Sequence, residues 1–173
     1  MLVNTTMAEL SDLTFRTAFI VYIVALILAF IYYGRVNSVI EARREALAEQ
    51  KVLVGAGGPE VVEKPKPDEA LIANARKWAG MTQALIWVGV ALHIVAFVTR
   101  GLAAGRFPLG NLYEYILFMT AVIMVVAAVV VQRKNWHTVW PWLLFPMVIA
   151  MFLNSTVFHM QAAPVVPALQ SYW

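Results

Sequence analysis

The sequence predicts an all-α integral membrane protein with about four transmembrane helices, both termini outside and a cytoplasmic hairpin between helices 1 and 2. Three observations carry this reading. Hydrophobic residues make up 61% of the 173 residues and charged ones 13%. Soluble domains lie near roughly 45–50% apolar and 25% charged. Four apolar runs are each long enough for a membrane-crossing helix of about 20 residues. The remaining Lys and Arg are gathered in the connections on one side of those runs.

The first run extends from Leu13 to Tyr33, the second from Met81 to Thr99, the third from Asn111 to Gln132 and the fourth from Val139 to Phe158. Each has to be helical, because an open strand would leave backbone N–H and C=O groups unpaired in hydrocarbon. Eight of the thirteen Lys and Arg lie between runs one and two, from Arg35 to Lys77, and Arg133 and Lys134 lie between runs three and four. Only Arg16, Arg100 and Arg106 fall on the other side. Basic residues stay inside, so both termini are expected outside. With no basic residue ahead of the first run, that run reads as an uncleaved span rather than a signal peptide. Three regions follow: 1–33, the outer N-terminus and first span; 34–80, a cytoplasmic helical hairpin; and 81–173, three spans with an outer turn at 100–111 and an outer tail.

Within the hairpin, "RVNSVIEARREALAEQKVLV" continues the first helix, with Glu41 and Arg44 at i,i+3 spacing. "GAGGPE" breaks it. "KPKPDEALIANARKW" restarts a helix, with Pro67 suited to its first position and Asp68 and Glu69 near the positive end of its dipole. The net charge of +3 is dispersed and does not point to nucleic acid. The absence of Cys excludes disulfides, thiolate ligands and thiol chemistry by this chain. No zinc spacing, P-loop, dinucleotide fingerprint or nucleophile–base pair is present.

The polar stretch "GRFPLGNLYEY", residues 105–115, opens the third run. Asn-Leu-Tyr-Glu reads as a capping box: Asn111 caps the free amides and Glu114 reaches back to the N–H of Asn111. Glu114 also sits where the helix dipole favours a negative charge, and Pro108 and Gly110 are turn residues. On this reading Asn111→Ala costs about 1 kcal/mol and Glu114→Gln less. Arg100 and Arg106 lie on the side where positive charge is disfavoured. They either snorkel or pair with Glu114, or bind an anionic group such as the carboxylate of a lipid-soluble ligand.

His93 lies inside the second run, about 9 Å below its outer end at a rise of about 1.5 Å per residue. An ionisable residue at that depth is either a functional group or a neutral imidazole bonded to a neighbouring helix. His159 reads as interfacial and His137 as a solvated loop residue. Trp136, Trp140 and Trp142 form an aromatic belt at the inner end of the fourth run. The tail after it contains Pro164 and Pro167, which disfavour a continuous helix, and it ends in Tyr172 and Trp173.

Two motifs in order, "HIVAFVTRGLAAGRFPLGNLYEY" and "VVPALQSYW", resemble the N-terminal half of the CcsA/ResC (CcsB) family of cytochrome c biogenesis proteins, System II. The resemblance covers Ala91 to Trp173, while the first 80 residues agree in layout only. It implies a multi-pass protein of the cell inner membrane, or of the thylakoid, that handles and exports haem b. It further implies a ResB-type partner and attachment of the haem to apocytochrome c, the cytochrome c haem lyase or synthase activity of the family. His93, Arg100 and Arg106 are then the candidate haem contacts, with Pro108, Asn111 and Glu114 as the structural motif. The family's Trp-rich "WWD" segment has no counterpart here, and its flanking haem-ligating histidines begin after the "PALQSYW" motif. The chain therefore reads as truncated before the haem-binding segment, and it is expected to bind haem weakly and to be inactive alone. The competing readings are a four-helix b-type haem or quinone anchor, which needs histidines facing each other across the bundle, and a non-catalytic scaffold subunit. A small exporter would want an acidic residue in mid-membrane, and no run has one.

Overall fold

The structure, a computed structural model, describes residues 5–55 and 69–158. Four helices make up the described chain: α1 (Thr5–Gly55), α2 (Glu69–Ala104), α3 (Leu112–Lys134) and α4 (Trp140–Leu153). A 3₁₀ turn, His137–Val139, leads into α4, and a π turn, Asn154–Phe158, follows it. All four helical segments are long and apolar enough to cross a membrane. The break at "GAGGPE", the helix-start role of Pro67 and Asp68, His159 and the "VVPALQSYW" tail lie outside the described residues.

At a rise of about 1.5 Å per residue, α1 is about 76 Å long, more than twice a bilayer core of about 30 Å. Its second half is therefore the charged extension read from the sequence. α2 begins twelve residues before Met81 and runs unbroken into the second span. The segment between the first two spans is thus built largely from extensions of the spanning helices themselves.

What brings α1 and α2 together is a repeat that the sequence carries but that hydropathy hides. Ser11, Phe15, Ala18, Tyr22, Ala25 and Ala29 are all buried, and they follow one another at alternating spacings of four and three. That is the a/d period of a coiled-coil seam, here filled with small residues that let two backbones approach. On α2 the buried partners Ala75, Ala79, Thr82, Ile86, Val90, His93 and Ala96 keep nearly the same period. Gly89 makes room for the one large knob, since a Cβ at that position would come within 2.6 Å of the Tyr22 ring. Large side chains such as Ile20, Ile27, Phe30, Val126 and Phe145 point outward, as they should where the solvent is lipid.

Between helices the links are polar, as expected where the hydrophobic effect does not drive association. Ser11 Oγ donates to Ala96 O at 2.7 Å, joining α1 to α2. Gln83 accepts from Trp140 Nε1 at 3.1 Å and donates to Ala128 O at 3.4 Å, so one α2 side chain holds both α3 and α4. Trp140 is consequently a core residue with no exposed surface, unlike the interfacial position expected for it. Trp136 and Trp142 are exposed, 55% and 69%, as belt residues would be. Sequence composition cannot separate the three, because only the Gln83 partner singles out Trp140.

Candidate functional site

The polar turn between α2 and α3 is locally determined. Gly105 takes φ 62°, the left-handed region that a residue without Cβ enters freely. Its N–H donates to Leu102 O and the next N–H, from Arg106, to Gly101 O, both at 3.3 Å. This is the paired closure that ends a helix on a left-handed residue. Asn111 is the N-cap of α3, its Oδ1 accepting from Glu114 N–H at 2.8 Å. The return contact differs from the expected one. Glu114 Oε2 accepts from Gly110 N–H at 2.9 Å, one residue ahead of the cap.

Glu114 does more than close a helix end. It is 1% exposed. Oε1 takes Arg100 Nε at 3.3 Å and Oε2 takes Arg106 at 3.1 Å. One buried carboxylate therefore holds both outlying arginines. Gly110 is part of this clasp, because a Cβ there would overlap the Arg106 guanidinium. Arg106 also donates to Phe107 O at 3.1 Å. Arg100 lies over the Tyr113 ring, 5.2 Å from its centroid, a cation–π placement. Tyr113 OH donates to Asp12 at 3.3 Å, tying the start of α1 into the same end of the bundle. Asn154 Nδ2 donates to Tyr113 O at 3.3 Å and brings in the end of α4.

Two guanidiniums share the Glu114 carboxylate, with the Asp12 carboxylate one link away on Tyr113 OH. The two are not equivalent, since the Arg100 side chain is 16% exposed and that of Arg106 34%. Beside Arg106 lies a recess of about 430 Å³ whose walls include Phe97, Leu102, Phe107 and Pro108. The lining rings Phe97 and Phe107 pack on each other and on Phe118, with centroids 5.2–6.1 Å apart. An apolar wall with a guanidinium at its edge suits a flat amphiphile that carries a carboxylate.

His93 stands apart from this arrangement. α2 continues to Ala104, so His93 lies about 16 Å from the end of its helix, deeper than the end at Thr99 implied. The imidazole has no exposed surface. Phe15 packs on it edge-on at 5.5 Å and Tyr22 tilts against it at 6.1 Å. Nε2 is 3.3 Å from Thr120 Oγ1, whose own proton is committed to Ile116 O at 2.7 Å. The Thr hydroxyl then accepts, which puts the imidazole proton on Nε2. That leaves Nδ1 as a buried lone pair with no hydrogen-bond partner, in a ring packed against Phe15 and Tyr22.

His137 is not the solvated loop residue that its neighbours Arg133 and Lys134 implied. Its ring stands edge-on to Tyr32 at 6.3 Å, and its Nδ1 is covered. Among the described residues no group of three His, Asp or Glu could hold a metal ion.

No family model matches the chain, and no solved structure matches it significantly. It is similar to the cytochrome c biogenesis protein CcsA of Trieres chinensis, 35% identical over 108 residues. That alignment takes in 56% of this chain and 33% of the relative, so it spans a third of that protein. With its four apolar helices, this chain resembles the cytochrome c biogenesis proteins of the CcsA/ResC family.

Proposed function

We propose that this chain is a membrane component of System II c-type cytochrome assembly, working with a ResB-type partner to present haem at the outer face for attachment to apocytochrome c. The observation that carries the reading is the similarity to CcsA. The orientation that supports it is the one given by the distribution of Lys and Arg, with the clasp outside and the long helical extensions inside. An inner or thylakoid membrane is the location that goes with it.

Haem is cargo in this reading, not a resident group. Its contact on this chain is Arg106, the more exposed guanidinium, whose edge position at the recess matches a propionate above an apolar ring. Arg100 acts at one remove by sharing Glu114 and so fixing where Arg106 stands. His93 is a packing residue of the α1–α2–α3 interface. An anchor for b-type haem would need two facing histidines. The two described ones, His93 and His137, pack against different partners, His93 on Phe15, Tyr22 and Thr120 and His137 on Tyr32.

The test is an absorption spectrum of the chain co-purified with a ResB-type partner. Arg106→Gln lowers the haem retained at unchanged protein yield, and His93→Leu leaves it in proportion to folded protein. A Soret band indifferent to Arg106 but lost with His93 in a folded variant contradicts the proposal.

A further inference from the structure

The seam between α2 and α3 is open to the bilayer in its clasp-side half. Next to the recess beside Arg106 lies a second one, of about 210 Å³, and Phe97 lines both. Ile94, Phe97 and Gly101 stand at i, i+3 and i+7 on one face of α2. Phe118, Val122 and Val125 stand at i, i+4 and i+7 on one face of α3. The two recesses therefore form one groove, with Arg106 at its mouth and no polar side chain lining its deeper part.

The groove ends where the same two faces are bridged. Seven residues before Ile94 and seven after Val125, Trp87 Nε1 donates to Gln132 Oε1 at 3.0 Å and ties α2 to α3. Val126, the deepest lining residue of α3, is about 21 Å along the helix from Leu112 at a rise of about 1.5 Å per residue. One leaflet with its headgroups is about 20–22 Å thick. The groove thus spans a single leaflet, from headgroup depth to the middle of the bilayer. A partner helix crossing the whole membrane would run into the Trp87–Gln132 bridge, whereas a lipid chain ends before it.

The mouth offers hydrogen-bond donors rather than a net charge. Glu114 is held by Arg100 and Arg106, and Asp12 accepts from Tyr113 OH, so the carboxylates of the clasp are already engaged. A guanidinium has five N–H groups. The contacts of Arg106 with Phe107 O and with Glu114 leave donors over, on a side chain that is 34% exposed. Such an edge pairs with a phosphate through two N–H groups at once.

We propose that the groove holds a diacyl phospholipid of the clasp-side leaflet, with its phosphate at Arg106 and one acyl chain running inward past Phe97 to Val125. The chain lies on the bilayer side of its headgroup, because every lining residue of the second recess belongs to the second or third apolar run. The recess at Arg106 is then filled by lipid when no cargo is present, and cargo and phospholipid displace one another there. Lipid binding does not depend on the cytochrome reading, and either can fail without the other.

The experiment offers the haem-free, detergent-solubilised chain dioleoylphosphatidylglycerol, dioleoylglycerol or glycerol 3-phosphate and reads what is retained by native mass spectrometry. One phosphatidylglycerol per chain is expected to be retained. Neither control is, since the diacylglycerol lacks the phosphate and the glycerol phosphate lacks the chains. Arg106→Gln weakens retention about fivefold, the worth of one basic residue at an anionic headgroup. Val122→Trp, at a position 42% exposed, fills the groove from outside the core and abolishes retention. Ile123→Trp, similarly exposed but outside the groove lining, leaves retention unchanged. No retained phospholipid, equal retention of either control, or an equal effect of the two Trp substitutions overturns the proposal. So does an Arg106→Gln chain that loses haem but keeps phospholipid undiminished, a result that upholds the haem contact alone.

Discussion

Replacing Glu114 by Gln separates the two accounts of the α2–α3 turn. If the carboxylate served only as half of a capping box, Gln would be nearly silent, because its carbonyl oxygen still reaches a backbone N–H. The structure makes it costly. Glu114 is 1% exposed, and donors surround it on both oxygens: Gly110 N–H and Arg106 on Oε2, Arg100 on Oε1. An amide puts an NH₂ against donors on one side and removes the charge that both guanidiniums share. A hydrogen bond to a charged group contributes about 1.5–3 kcal/mol, and breaking a fully buried pair costs about 3–5. Arg100 and Arg106 are partly solvated, so the expected loss is about 2–3 kcal/mol, larger than the cost of about 1 kcal/mol for Asn111→Ala. The assay is unfolding in mixed micelles, extended to double-mutant cycles with Arg100→Gln and Arg106→Gln. Coupling to Arg100 should be about 2 kcal/mol and to the more exposed Arg106 about 1 or less. A Glu114→Gln protein within about 0.5 kcal/mol of wild type, with no coupling, would refute the clasp.

Three further outcomes follow from the same geometry. Gly110→Ala places a Cβ where the Arg106 guanidinium rests, so Arg106 swings off Glu114, and the Glu114–Arg106 coupling disappears while the Glu114–Arg100 coupling stays. Gly89→Ala forces the Tyr22 ring away from α2 and should destabilise the α1–α2 pair by about 1–3 kcal/mol, as overpacking does. Single cysteines at the exposed positions Leu109 and Ala48 of this Cys-free chain test orientation with an impermeant thiol reagent. Leu109→Cys is expected to label from outside and Ala48→Cys not, and the reverse pattern would turn the bundle over.

Much of the architecture was legible in the sequence, for a physical reason: hydrocarbon admits only helices, so length and hydropathy fix four of them. The N-cap at Asn111 was legible because capping is local chemistry. The clasp was only half legible. Arg100 and Arg106 stood out as misplaced charge, but that one carboxylate serves both depends on Gly105 reversing the chain and on the space over Gly110. The α1 seam from Ser11 to Ala29 was present as a heptad, yet in a run where nearly every residue is apolar the period shows only in residue size. Trp140 and His137 were misread because their environments come from α1 and α2, far away in sequence: Gln83 for one, Tyr32 for the other. His93 was correctly picked out as buried, but its closure by Phe15, Tyr22 and Thr120 needs three helices in place at once.

The most direct test of the assembly role is peroxidase-based haem staining of membranes from cells that carry this chain, compared with cells in which it is deleted. Covalently bound haem survives denaturing electrophoresis, so the stain reports attachment rather than supply. The account predicts that the c-type cytochrome bands disappear on deletion while non-covalent haem in the same membranes persists, and that the chain carrying Arg106→Gln restores the bands only partly at equal abundance. Undiminished c-type bands in the deletion would contradict it.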